Sequence, residues 1–191
     1  MHRHHAYRAQ HRHPLILLLD NVDKAPNIGG ILRTADAFLA ESVLVNRAEP
    51  DVAGAMGAEH WQPVEWKVDL VEAIGERRRL GYALVVLEQE PDAVPIREFR
   101  FPMKTMLAVG AEMYGVSKEV QDMADATVFI PQAGLVKSLN VTTAAAIAVY
   151  EYSRQHWMGD FAQPARHLEP AISSMRVETR KTNSRATSVR E

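Results

Sequence analysis

Between residues 15 and 156, short apolar runs of strand length alternate with segments whose apolar residues recur at helical spacing. No other feature limits the possible folds so strongly. LILLLD (15–20) reads as a strand buried on both faces, and NIGGILRTADAFL (27–39) puts Ile28, Ile31, Leu32, Ala35, Phe38 and Leu39 on one helical stripe. SVLV (42–45) predicts a second strand, followed by a helix over 51–58, a strand near PVEWKV (63–68), a helix over 69–80 and the strand YALVVLEQ (82–89). Beyond a Pro-containing loop come TMLAVG (105–110), a helix from about 117, ATVFI (126–130) and a long helix over 138–156. Short apolar strands separated by helices predict an α/β fold, a mostly parallel sheet with helices on both faces. A chain of 191 residues, 47% of them hydrophobic, can bury one such core, and no repeat points to a second.

The absence of cysteine excludes disulfides, thiol nucleophiles and thiolate metal sites, and fits a reducing cytoplasm. The longest apolar runs fall far short of the ~20 residues of a membrane-spanning helix. MHRHHAYRAQHRHP has no apolar h-region and is not a secretory signal. A soluble, cytoplasmic protein is therefore expected, without membrane association. His2, His4, His5, His11 and His13 are a tract with incidental metal affinity, and no functional metal site is expected from them.

Charge divides the chain into three parts: a basic, His-rich tail (1–13), a domain (14–158) and a second basic tail (159–191) poor in large apolar residues and expected to be disordered alone. The whole chain carries −2, and residues 1–14 and 161–191 are each near +3, so the stretch 15–160 is close to −8. Basic ends on an acidic body read either as arms that touch a polyanion or as plain solvated tails.

Ligands of open parallel sheets bind at loops leaving the carboxyl ends of strands. Three such loops carry unusual chemistry: DNVDKAPNIGG, VGAEMYGVS and IPQAGLVKSLN. Neither GxGxxG nor GxxxxGK[ST] is present, so the common dinucleotide and P-loop readings lose their support. In the third loop Lys137, Ser138 and Asn140 stand at the mouth of a small-residue helix, where Ser138 can cap the first turn or face a ligand.

NIGGILRTADAF, VGAEMYGVS and IPQAGLVKSLNVTTAAAIAVYE resemble, in order and spacing, motifs one, two and three of the SpoU/TrmH branch of the SPOUT methyltransferases, over roughly residues 14–156. The resemblance implies an S-adenosyl-L-methionine-dependent enzyme that methylates a ribose 2′-hydroxyl in RNA. It also implies a C-terminal trefoil knot, and a homodimer whose active site is completed across the interface. Ala144, Ala145, Ala146 and Ala148 would then let backbones approach where the knotted helix packs, although plain helix propensity also suits them. Carried over by position, the catalytic residues are Arg33, Asn27, Glu112, Ser138 and Asn140. Glu112 would help to hold Arg33 and the RNA, and the cofactor contacts fall on Leu87, Gly110, Ile130 and Leu139.

A guanidinium is a poor base, so the implied role of Arg33 is read as clamping a phosphate and stabilising the developing alkoxide, with a phosphate oxygen or a transient neutral arginine taking the proton. A surface ion pair with Asp36 or Glu112 is the alternative for it. Gly110 and Gly134 suit a backbone that hugs a ligand, or a simple turn. The leaving sulfonium becomes a neutral thioether, so the implied chemistry needs no metal.

Two positions depart from the family pattern. Ala111 stands where Asn or Gln is common, and Lys137 where Glu or Gln is usual. No separate N-terminal RNA-binding domain is seen, as in compact tRNA-directed members, which puts tRNA ahead of rRNA as the substrate and gives the tails a role in gripping it. An rRNA-directed enzyme and a non-catalytic RNA-binding paralogue are the alternatives.

Overall fold

The computed structural model describes residues 12–49, 52–135 and 138–156. Two compact units divide the chain, Met1–Trp157 and Met158–Glu191, and every described element belongs to the first. Strands β1 (His13–Asp20), β2 (Ala40–Val45), β3 (Val64–Trp66), β4 (Ala83–Leu87), β5 (Val94–Pro95), β6 (Thr105–Gly110) and β7 (Ala126–Phe129) form one sheet in the order β3-β2-β1-β6-β4-β7-β5. Every pair in it is parallel. The helices are α1 (Ala25–Ala37), α2 (Leu70–Arg79), α3 (Lys118–Gln121) and α4 (Val141–His156).

Strand β1 shows why the strand sequences lack polar alternation. Leu15, Leu17 and Leu19 join one buried cluster with Ile28, Ile31, Leu32 and Ala35 of α1 and Ala145, Ala148, Val149 and Tyr152 of α4. Ile16 and Leu18 face the other way, into a cluster with Leu70, Ala73 and Ile74 of α2 and Val120 of α3. With helices on both faces, each position of the strand must be apolar. At the start of α2, Asp69 caps the Glu72 amide at 3.1 Å, and Arg77, Arg78 and Arg79 complement the dipole at its end.

Local structure departs from the sequence expectation at four places. The helix expected over 51–58 is two 3₁₀ turns, Ala53–Ala55 and Ala58–His60, because Met56 (φ 53°) and Gly57 (φ 90°) are left-handed between them. The helix from about 117 is one turn, Lys118–Gln121. The Pro-containing loop holds β5, a two-residue edge strand where a proline removes no needed ladder bond. Finally, α4 begins at Val141 and not at 138: Asn140 Oδ1 accepts from the Thr142 amide at 3.0 Å, so Asn140 is the cap and Ser138 is not.

The end of α4 grips the segment between β5 and β6. Tyr152 donates its hydroxyl to the Met103 carbonyl (2.6 Å), and Gln155 donates to Phe99 O (2.9 Å) while accepting from the Phe101 amide (2.9 Å). No helix among the described residues is long and apolar enough to cross a membrane.

Candidate active site

The carboxyl ends of β1, β6, β4 and β7 bring the three unusual loops together. Asp20, at the end of β1, is 2% exposed and fully engaged: Oδ1 accepts from Asn21 Nδ2 (2.9 Å) and Asn46 Nδ2 (3.0 Å), and Oδ2 from the Ser117 amide (2.7 Å). It fastens the first loop to the second. Asp20 escaped the sequence reading because it closes an apolar run and looks like an ordinary strand terminus.

After β6 the chain makes a tight turn over 111–115, closed by the Gly115 amide donating to Ala111 O at 2.8 Å. A Cβ on Gly110 would lie 2.0–2.2 Å from the backbone of Gly115 and Val116. Glycine is thus required here for a reason that the sequence did not reveal: the protein's own returning backbone, before any ligand, forbids a side chain. At Gly134 a Cβ would meet nothing within 4 Å, so close backbone packing does not account for that glycine.

Glu112, on this turn, is the hub of a polar network. Its Oε2 accepts from Lys24 Nζ (2.5 Å), and its Oε1 from Asn140 Nδ2 (2.5 Å) and Asn27 Nδ2 (3.3 Å). Asn140 Nδ2 also donates to Asn27 Oδ1 at 3.0 Å. Thr142 donates its hydroxyl to Asn27 O at 3.2 Å, and its Cγ2 occupies the space where a Cβ on Gly30 would sit. Residues of all three loops thus meet on one carboxylate. Lys24 and Thr142 were not singled out from sequence; a lysine before Pro26 and a threonine in a helix carry no local signal.

The hydrogen bond from Lys24 is the main cause that holds the Glu112 carboxyl below the usual glutamate range, with Asn27, the lysine charge and Asn140 acting in the same direction against desolvation. The hydrogen bond to Glu112, then its charge, raises Lys24 above the usual lysine range. A lowered acid stabilises the fold above its unfolded pKa and loses that contribution as pH falls through the folded value, while a raised lysine loses its contribution only as pH climbs through its own. The network should therefore stay intact from about pH 5 to pH 10. Tm measured against pH for wild type and Glu112→Gln should differ by a constant amount across that range and converge only beyond it, in acid or in strong alkali; convergence near neutrality would contradict the assignment.

Two clefts of about 380 Å³ each flank the turn. The first is lined by Leu87, Gly110, Ile130 and Leu139 together with Glu88, Glu90 and Ser138. The second is lined by Asn21, Asp23, Lys24, Asn27, Arg47 and Ser117, and residues 111–115 border both. Glu88 secures the turn by accepting from the Val116 amide at 3.2 Å.

A sequence profile of the SpoU rRNA methylase family matches residues 14–150. The chain belongs to that family. Among similar proteins, a tRNA (guanosine(18)-2′-O)-methyltransferase of Thermus thermophilus is 36% identical over 145 residues, covering 74% of this chain and 75% of the relative. The mouse protein with the same activity in its name, TARBP1, is 32% identical over 159 residues, yet the match spans only 10% of its length against 79% of this chain. Among solved structures, the Aquifex aeolicus TrmH/SpoU tRNA modifying enzyme aligns with a TM-score of 0.76 at 28% identity, covering 90% of this chain and 91% of that one. The Streptomyces viridochromogenes SpoU methyltransferase AviRb in complex with AdoMet aligns at 0.69 and 30% identity, covering 79% and 61%.

Set against the family motifs, Leu87, Gly110, Ile130, Leu139, Ser138 and Glu112 meet in the first cleft, and Asn27 and Asn140 reach it through Glu112. Arg33 stands apart. It is exposed on α1, lines neither cleft and makes no hydrogen bond or ion pair among the described residues. Neither Asp36 nor Glu112 pairs with it, and Glu112 is held by Lys24 instead. Lys137 and the tail residues 1–11 and 157–191 lie outside the described residues.

Proposed function

We propose that the chain is an S-adenosylmethionine-dependent methyltransferase that modifies a ribose 2′-hydroxyl in tRNA. One observation carries this reading: a cleft of mixed lining at the carboxyl ends of β4, β6 and β7, where Leu87, Ile130 and Leu139 stand beside carboxylates, rimmed by the Glu112–Asn27–Asn140 network that joins all three family motifs. The activities for which the relatives from Thermus and mouse are named point the same way.

The residues present suit the cofactor. Leu87, Ile130 and Leu139 offer apolar contact for an adenine, the Glu88 and Glu90 carboxylates favour a cationic ligand, and the Ser138 hydroxyl has no partner among the described residues. When bound, S-adenosylmethionine supplies an electrophilic methyl group. Everything else falls to the protein. Asn140 spends its amide on Glu112 and Asn27 and its Oδ1 on Thr142, so it holds the third loop against the second. Arg33 clamps the phosphate beside the target ribose and stabilises charge growing on the 2′-oxygen, whose proton passes to a phosphate oxygen.

Because Arg33 lines neither cleft of its own copy, the enzyme works as a homodimer in which Arg33 of one copy completes the site of the other. Tyr150 and Ile147, exposed on α4, and Phe38, edge-on to Tyr150 at 6.3 Å, supply an apolar face for a second copy. Residues 14–158 form the catalytic domain, threaded as a trefoil knot at its C-terminal end, and the basic segments 1–13 and 159–191 grip the tRNA backbone in the cytoplasm.

The test is transfer of labelled methyl groups into unfractionated tRNA and, separately, rRNA, with digestion to nucleosides. A 2′-O-methylnucleoside from the tRNA pool is the expected result. Label in rRNA alone, or in neither pool, would defeat the reading.

A further inference from the structure

We infer that Tyr114 is the stacking platform for the base of the nucleotide to be methylated, and that the second cleft receives that nucleotide; this rests on the function proposed above. Tyr114 is 83% exposed and its neighbour Met113 is 81% exposed, the two at the tip of the 111–115 turn. Neither the Tyr114 ring nor its hydroxyl has a partner among the described residues. A large side chain standing in water gains nothing for the fold, yet this one sits on a turn held by the Ala111–Gly115 bridge and by Glu88. The tip is therefore pre-ordered, and docking a ring against it costs little conformational entropy.

The position of the tip matters as much as its chemistry. Residues 111–115 border both clefts, so a nucleotide held in the second cleft with its base on Tyr114 has its ribose at the shared border, where the 2′-hydroxyl can face the cleft assigned to the cofactor. That cleft is about 380 Å³, within the usual range for small ligands. On its rim Arg47 is exposed with its guanidinium unpaired among the described residues, placing a bidentate phosphate donor there. Unstacked RNA bases are commonly held on aromatic faces, and a single stacking contact changes affinity by roughly fivefold to a hundredfold.

The experiment compares wild type, Tyr114→Ala and Tyr114→Phe for affinity toward unfractionated tRNA, for cofactor affinity, and for KM and kcat of methyl transfer. Stacking requires that alanine weaken tRNA binding and raise KM by about tenfold, that phenylalanine stay within about twofold of wild type, and that cofactor affinity and Tm hold in both. Sedimentation separates a rival role: a Tyr114→Ala protein that becomes monomeric marks the tip as a contact between copies and overturns the inference. Equal losses in alanine and phenylalanine overturn it too, since the hydroxyl would then be the active group. Transfer into tRNA by wild type with both variants unchanged refutes stacking and leaves the proposed function standing. Binding of tRNA that depends on the Tyr114 ring, without transfer by wild type, does the reverse.

Discussion

Replacing Arg33 with alanine should lower methyl transfer by about 10²–10³-fold while cofactor affinity and Tm stay where they were. The side chain is exposed and unpaired among the described residues, so its loss removes no packing and leaves no buried partner stranded. An Arg33→Lys change should recover little, because an ammonium cannot reproduce the planar fork that matches a phosphate. The dimer arrangement gives a sharper version of the test. An Arg33→Ala chain and an Asn140→Ala chain are each inactive alone, but co-expressed copies pair into heterodimers in which one of the two sites takes Arg33 and Asn140 from intact copies. Random pairing then restores about a quarter of wild-type activity. Recovery at that level supports an arginine acting across the interface, and no recovery means that each copy uses its own Arg33.

The second large effect belongs to Gly110. An alanine there would put its Cβ 2.0–2.2 Å from Gly115 and Val116, and backbone cannot step aside as the end of a side chain can. The turn over 111–115 must move, and with it Glu112, the one carboxylate that Lys24, Asn27 and Asn140 share. We expect Gly110→Ala to cost about 2–4 kcal/mol of stability and to abolish measurable cofactor binding. Gly134→Ala is the control, since its Cβ would meet open space: Tm should change by no more than about a degree or two. Calorimetric titration with cofactor beside thermal melts reads both quantities. A Gly110→Ala protein that binds cofactor normally would show that the turn can open without harm.

The helix expected over 51–58 fails at Met56 and Gly57, where left-handed backbone ends one short turn and begins another. Period alone cannot report that, because apolar spacing over so few residues fits a broken helix as well as a whole one. The cap of α4 moved from Ser138 to Asn140 for a similar reason: both residue types suit the role, and only the direction of the incoming chain decides which side chain reaches the first free amides. The two-residue β5 exists because β7 offers it an edge, which is information held by a strand about thirty residues away.

What the sequence determined by itself was the part of the protein written in local pattern. Unbroken apolar strands can be stable only between two layers of helices, so the α/β class and the two-sided core were legible from composition along the chain. The motif residues could be named in order, and Leu87, Gly110, Ile130 and Leu139 do line a common cleft. Only the tertiary structure decided how they are held. Asn27 and Glu112 are 85 positions apart, and Asn140 lies 113 beyond Asn27. Their hydrogen bonds, the lysine that joins them and the isolation of Arg33 arise from distances across folded space, which the one-dimensional spacing of residues does not encode.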